Sequence, residues 1–181
     1  FSAMYGNTNT LTITGSSGSD TIYWPPSRDP GTSASGVIGG YFVVKAGDGN
    51  DTLGATAAYT PTLGSEDSID MGAGDDTVKI SNGISALASS SIAKLDGGAG
   101  SDTLDFSDHL ASTVALTLTI GGATNFENLT GTSGAETITG DGNANVLKGL
   151  GGVDTIYGLG GDDVLYGSQQ GTDSNCSMGP G

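Results

Sequence analysis

The sequence predicts an all-β fold, a parallel solenoid wound in short coils, and three observations lead there. The first is a fixed step near the C-terminus. Gly131, Gly140, Gly149, Gly158 and Gly167 are each nine residues apart. Five residues after the first four come Glu136, Asn145, Asp154 and Asp163, and two further on come Ile138, Leu147, Ile156 and Leu165. Each unit thus reads as a glycine-rich turn, an oxygen-bearing side chain and a short strand. The second observation is 33 glycines in 181 residues. A chain that reverses every few residues needs positive φ in its turns, and glycine adopts it without steric cost. The third is the place of the apolar residue two past the acid, which strand alternation turns into the roll. Self-similarity at a short fixed period marks stacked coils.

The same unit recurs upstream at wider spacing. Gly15 to Ile22, Gly47 to Leu53, Gly72 to Val78 and Gly98 to Leu104 are four copies, and a degenerate fifth places Gly122, Glu127 and Leu129 in the nine-residue register. The acid positions are separated by 31 (Asp20 to Asp51), 25 (to Asp76), 26 (to Asp102), 25 (to Glu127), 18 (to Asn145) and 18 (to Asp163). A step of 18 is one coil of two nine-residue halves, and a step of 25 or 26 is the same coil with a longer far half. These positions therefore form one stacked column. Glu136 and Asp154 form an opposite column, with Asp173 as a worn last member. The chain reads as one domain, residues 1–181. Irregular long coils fill 1–121, regular nonapeptide repeats 122–167, and a tail 168–181.

Between the turns, residues 23–40 form the longest excursion, and 54–66 and 82–91 are rich in small residues. Strands are expected at Tyr41 to Lys45, Ser68 to Met71 and Ile92 to Leu95, each leading into a turn. Val114 to Ile120 alternates apolar residues with Thr, as a half-buried strand does. Segment 83–94 is the one helix candidate, and its serines argue against it.

The turn chemistry points to a cation. Turn carbonyls can face a common centre, and the acid at each turn's end adds charged oxygens. Hard oxygens in a flexible cage suit Ca²⁺ better than Mg²⁺, which demands a small octahedron. One inward apolar residue per short strand makes a thin core, so the metal must contribute much of the folding energy. Stacked carboxylates about 5 Å apart would repel without it. The expectation is a largely disordered chain that folds on millimolar Ca²⁺.

Gly158-Leu159-Gly160-Gly161-Asp162-Asp163-Val164-Leu165 and Gly149-Leu150-Gly151-Gly152-Val153-Asp154-Thr155-Ile156 resemble the nonapeptide of repeats-in-toxin (RTX) proteins, G-G-x-G-x-D-x-U-x. Leu150 and Leu159 depart from its second glycine, Asn145 and Glu136 from its Asp. The resemblance implies a right-handed parallel β-roll or β-helix, a hand that the general twist rule also favours. It implies several Ca²⁺ ions between adjacent turns, each taking the acid of one turn and carbonyls of the next. The implied metal ligands are Asp20, Asp51, Asp76, Asp102, Glu127, Glu136, Asn145, Asp154 and Asp163, with Gly134, Gly152 and Gly161. Asp154 should pair with Glu136 and Asp163 with Asn145, and the Asn145 turn should bind its metal more weakly. Relatives in this sense are secreted bacterial toxins, adhesins and surface-layer proteins.

Composition narrows the partners. Twenty acidic residues against 5 basic give a formal charge of −15, which argues against nucleic acid and anionic membranes. No stretch approaches 18 apolar residues, so nothing is expected to span a membrane. Cys176 is the one cysteine, so no internal disulfide forms. Weak multi-carboxylate sites fill outside the cell, which places the chain in the extracellular space or at the cell surface. No leader is expected at the start, and residues 168–181 do not resemble the export signal of RTX proteins.

Nothing catalytic is expected. The chain has no H-E-x-x-H zinc site and no G-x-S-x-G elbow. Asp105, Asp108 and His109 read as a polar loop. In Asp75-Asp76 and Asp162-Asp163, neighbours point to opposite faces, so Asp76 and Asp163 are in ligand register while Asp75 and Asp162 are solvated. Tyr157 and Tyr166 read as a stacked aromatic ladder, and Asn128-Leu129-Thr130 fits a glycosylation acceptor. The function expected is a structural protein that polymerises by end-to-end solenoid stacking into a filament or surface layer. The alternative is a Ca²⁺-triggered folding and export module of a larger secreted toxin, adhesin or hydrolase.

Overall fold

The computed structural model describes residues 11–23, 42–54, 67–80, 94–109, 111–168 and 175–177. Among them every strand pairing is parallel, and the only helical element is one short 3₁₀ turn, Ile120–Gly122. The fold is the all-β parallel β-roll expected.

Three sheets run along the roll. The exit sheet has seven strands among the described residues, six directly after an acid and one after Asn145: Thr21–Ile22, Thr52–Leu53, Thr77–Lys79, Thr103–Asp105, Asn128–Thr130, Val146–Leu150 and Val164–Ser168. Their register joins Ile22, Leu53, Val78, Leu104, Leu129, Leu147 and Leu165 into one inward row. The approach sheet has five strands that lead into the upstream turns: Leu11–Thr14, Phe42–Asp48, Ser68–Ala73, Lys94–Asp96 and Ala123–Thr124. Its inward row is Ile13, Val44, Ile69, Leu95 and Ala123. The opposite sheet, Leu116–Thr117, Thr137–Thr139, Thr155–Tyr157 and Asn175–Ser177, takes over at the C-terminal side. There Leu116, Ile138, Ile156 and Cys176 are in line. The core is thus two facing rows of single side chains, nearly all of them buried.

Two features widen that core beyond the sequence reading. Ile80 and Phe106 sit two residues past Val78 and Leu104, and both are buried. Met71, Phe126, Leu118 and Ile120 fill the middle of the roll as well. The alternation predicted for Val114 to Ile120 holds in burial, but only Leu116–Thr117 is a paired strand, against Ile138 and Thr139.

Other expectations need correction. The strands into the turns run further than expected, to Asp48 and Ala73. The regular part does not begin at 122. Ala123–Thr124 pairs with Leu95–Asp96, so only Asn125 and Phe126 separate that strand from Glu127. The Glu127 turn is three residues shorter than the nonapeptide turn, and Gly122 belongs to the 3₁₀ element before it. Tyr157 and Tyr166 do not stack: nine residues is half a coil, so they lie on different sheets. Tyr166 instead has the Lys148 ammonium 6.0 Å from its ring centre. Residues 24–40, 55–66 and 81–93, which hold nearly all of the three excursions and the helix candidate, lie outside the described residues, as does Asp173.

Successive turns touch backbone to backbone. A Cβ on Gly72 would overlap the Gly47 carbonyl oxygen, and one on Gly74 the Gly49 carbonyl. Gly98 and Gly100 meet Gly72 and Gly74 in the same way. Gly72 also has a φ of 100°, a region that costs other residues roughly 1–2 kcal/mol. By contrast, a Cβ on Gly142 meets nothing within 4 Å. Gly72→Ala should therefore lower the stability of the Ca²⁺-loaded protein by roughly 2–3 kcal/mol, whereas Gly142→Ala changes it by less than about 0.5 kcal/mol. Urea unfolding in saturating Ca²⁺ checks the pair.

Candidate metal centres

Each turn delivers its acid by the same route. The approach or opposite strand ends, the chain reverses over about five residues, and the acid is the last residue before the exit or opposite strand begins. Its side chain then points inward, beneath its own turn and back toward the acid of the coil before. This is why Asp51, Asp76, Asp102, Glu136, Asn145 and Asp154 are all buried and Asp163 is partly so, while Asp75 and Asp162, one residue before Asp76 and Asp163, are exposed.

The buried acids form a directional ladder. The backbone N–H of Asp20 donates to Asp51 Oδ1 (2.7 Å), that of Asp51 to Asp76 Oδ1 (2.7 Å), and that of Asp76 to Asp102 Oδ1 (2.8 Å). Asp102 N–H donates to Glu127 Oε2 at 2.9 Å. In the regular part Glu136 N–H donates to Asp154 Oδ1 and Asn145 N–H to Asp163 Oδ1, both at 3.0 Å. The sequence separations across these bonds are 31, 25, 26, 25, 18 and 18. The structure thus brings together the pairs Asp154 with Glu136 and Asp163 with Asn145, and the upstream run of Asp20, Asp51, Asp76, Asp102 and Glu127.

The ladder uses one carboxylate oxygen per acid. The other, Oδ2, is buried and accepts no hydrogen bond in Asp51, Asp76, Asp102 and Asp163. A buried, unsatisfied charged oxygen is expensive, and several in a row repel one another. Burial first, and then the neighbouring acids, hold the carboxyls of Asp51 and Asp76 above the usual carboxylate range and push that of Asp102 up to about 6. Burial also raises Glu136. Asp20 is the exception: hydrogen bonds from the Ser16 backbone and hydroxyl hold it below the usual range.

The donors fit a hard divalent cation. Each site offers a carboxylate oxygen beside the stacked carbonyls of glycine turns, and oxygen-only sets of this kind suit Ca²⁺. Among the described residues no three His, Cys, Asp or Glu side chains converge on one point. A cation in these turns would therefore draw most of its ligands from backbone carbonyls, with Gly152 and Gly161 at positive φ in the turns concerned. The columns contain no soft ligand: His109 lies in the loop after Thr103–Asp105 and Cys176 on the last opposite strand.

A second, outer ladder was not foreseen. Asn50 N–H donates to Ser19 Oγ, Asp75 N–H to Asn50 Oδ1, and Ser101 N–H to Asp75 Oδ1. Asp75 is exposed, as expected, but it is engaged in the coil stack. The amide of Asn128 ends this ladder on Ser101 Oγ and the Asp102 carbonyl, so the nitrogen of the acceptor pattern is already in use. A residue one before each acid that can both accept and be approached by an N–H is the signal that would have found it. The polar loop at Asp105 and Asp108 is tied down by Lys79, whose ammonium lies 3.4 and 3.6 Å from them.

The family model described as the RTX calcium-binding nonapeptide repeat matches the chain in four copies, over residues 12–23, 94–108 and 130–165. RTX nonapeptide repeats bind several Ca²⁺ ions per repeat region, which agrees with the donor set found here. No curated protein matches the chain significantly. Turns 46–51 and 71–76 lie outside the matched stretches, yet they carry the same ladder bonds and the same positive-φ glycines. Asp76→Asn, which keeps shape and removes charge, should raise the Ca²⁺ concentration for half-maximal folding roughly tenfold, equivalent to about 1.4 kcal/mol. Asp75→Asn should shift it less than about twofold. A Ca²⁺ titration followed by circular dichroism separates the two.

Proposed function

We propose that this chain, which carries RTX calcium-binding nonapeptide repeats, is an extracellular structural protein that folds on Ca²⁺ and stacks end to end into a filament or surface layer. One observation carries the reading: the carboxylate ladder, interrupted only between Glu127 and Asn145 among the described residues, runs in one direction on both sides of that break, so its two outer ends are complementary. At one end stands the backbone N–H of Asp163, at the other the carboxylate of Asp20. Among the described residues, Val164–Ser168 and Thr21–Ile22 are the outermost strands of the same sheet. Placing the first on the second in a neighbouring copy would continue the ladder and the inward row from Leu165 to Ile22. A contact between two unlike surfaces does not close on itself, so it yields a fibre. Val164 and Tyr166 are exposed at that edge, and Leu165 is only partly buried although its row-mates from Leu53 to Leu147 are fully so. An open strand edge is a template for another chain.

The ladder itself supports a second reading. Carboxylates that need a cation tie folding to Ca²⁺ supply, which suits a folding and export module of a larger secreted toxin, adhesin or hydrolase. Neither reading assigns catalysis to this chain.

Sedimentation velocity and electron microscopy in millimolar Ca²⁺ and in chelator distinguish them. Polymers that dissolve on chelation are expected for the structural protein. Monodisperse particles in saturating Ca²⁺ would reject end-to-end stacking and favour the module.

A further inference from the structure

Among the described residues, and apart from the short Glu127 turn, the turns are of two chemical kinds. Five are open: their second and fourth residues both have positive φ. These pairs are Gly47 and Gly49, Gly72 and Gly74, Gly98 and Gly100, Leu150 and Gly152, and Leu159 and Gly161. Leu150 (73°) and Leu159 (76°) hold this conformation without being glycine. Strain of that sort persists only where the surroundings impose it. The open turns end in Asp51, Asp76, Asp102, Asp154 and Asp163.

Three turns are closed, and they share one hydrogen-bond pattern. The second residue, Ser16, Thr132 or Asp141, accepts the N–H of the fourth residue on its side chain: Gly18 (3.2 Å), Gly134 (2.9 Å) and Asn143 (2.8 Å). Its own N–H donates to the side-chain oxygen of the sixth residue: Asp20 (2.6 Å), Glu136 (3.4 Å) and Asn145 (2.9 Å). A third bond joins the two side chains. Ser16 Oγ donates to Asp20, Thr132 Oγ1 to Glu136, and Asn145 Nδ2 to Asp141. Such side-chain turns satisfy locally what a backbone or ion would otherwise satisfy. None of the six residues at the second and fourth positions has positive φ. Among the described residues each closed turn is the first nonapeptide turn of a run. Among the described residues turn 15–20 is the first of the upstream column, 131–136 is the first nonapeptide turn of the opposite one, where the Ser112 N–H also donates to Thr132 Oγ1, and 140–145 restarts the first column after the short Glu127 turn.

We propose that Ser16, Thr132 and Asp141 stand in for a cation. The three closed turns are then metal-independent floors, and Ca²⁺ enters only against the five open turns stacked on them. This deepens the calcium reading and rests on it. It also explains Asn145. In a closed turn the sixth residue need not be charged, and an amide can donate to Asp141 where a carboxylate would repel it. Asp20, Glu136 and Asn145 are thereby reassigned from cation ligands to partners of the cap.

Native mass spectrometry of the full chain at saturating Ca²⁺ reads the ion count directly. Asp76→Asn, Asp154→Asn and Asp163→Asn should each lose one ion relative to the unaltered chain. Asp20→Asn and Glu136→Gln should lose none, and Asn145→Asp should gain none. If one open-turn variant fails to fold, the others carry the same readout. Loss of an ion from Asp20→Asn or Glu136→Gln, or a gain in Asn145→Asp, would overturn the proposal while leaving Ca²⁺ binding intact. An unaltered chain that takes up no Ca²⁺ at all would instead overturn the calcium reading beneath it.

Discussion

The structure depends on what becomes of the second oxygen of each buried carboxylate. The first is spent on the backbone N–H of the coil before, which fixes the register of the stack. The second is buried with no hydrogen bond in Asp51, Asp76, Asp102 and Asp163. Desolvating a charge without a counter-charge costs more than a single hydrogen bond returns. The same residues therefore specify the fold and oppose it, until a cation reverses the sign of the second contribution. Folding and metal uptake become one event.

The other constraints follow from that placement. For an acid of one coil to reach the backbone of the coil before, turns must approach to backbone contact, and columns of glycine make the approach possible. In the regular coils this leaves room for one inward apolar side chain per strand, so the rows there are single file. Where the coil is longer, in the middle of the chain, Phe106, Phe126 and Met71 enter and the core thickens. Hydrophobic burial and metal dependence should trade off along the roll. The regular part has one inward apolar residue per strand and the most regular acid spacing.

Much of this was legible in the residues, because a parallel stack turns sequence separation into spatial register. Subtracting acid positions gave every step of the upstream column, and the residue two past each acid was the inward one throughout. What escaped the sequence was set by contacts that period alone does not encode. Glu127 keeps its place in the column, but the turn before it is short, since Ala123–Thr124 was drawn into pairing with Leu95–Asp96. Tyr157 and Tyr166 share a period yet face different sheets, because half a coil separates them. The closed turns were hidden in residues that look like ordinary departures from a motif: Ser16, Thr132 and Asp141 matter through the bonds they make within the turn. The outer ladder of Ser19, Asn50, Asp75 and Ser101 was equally silent, since exposed polar residues read as solvated until their partners are known.

The central claim is that a divalent cation is a structural member of this fold rather than an addition to it. Amide hydrogen exchange of the exit-sheet strands, from Thr52–Leu53 to Val164–Ser168, measured in millimolar Ca²⁺ and in chelator at equal ionic strength, tests it most directly. Strong protection is expected with Ca²⁺ and exchange at near random-coil rates without it. Equal protection in both conditions would contradict it.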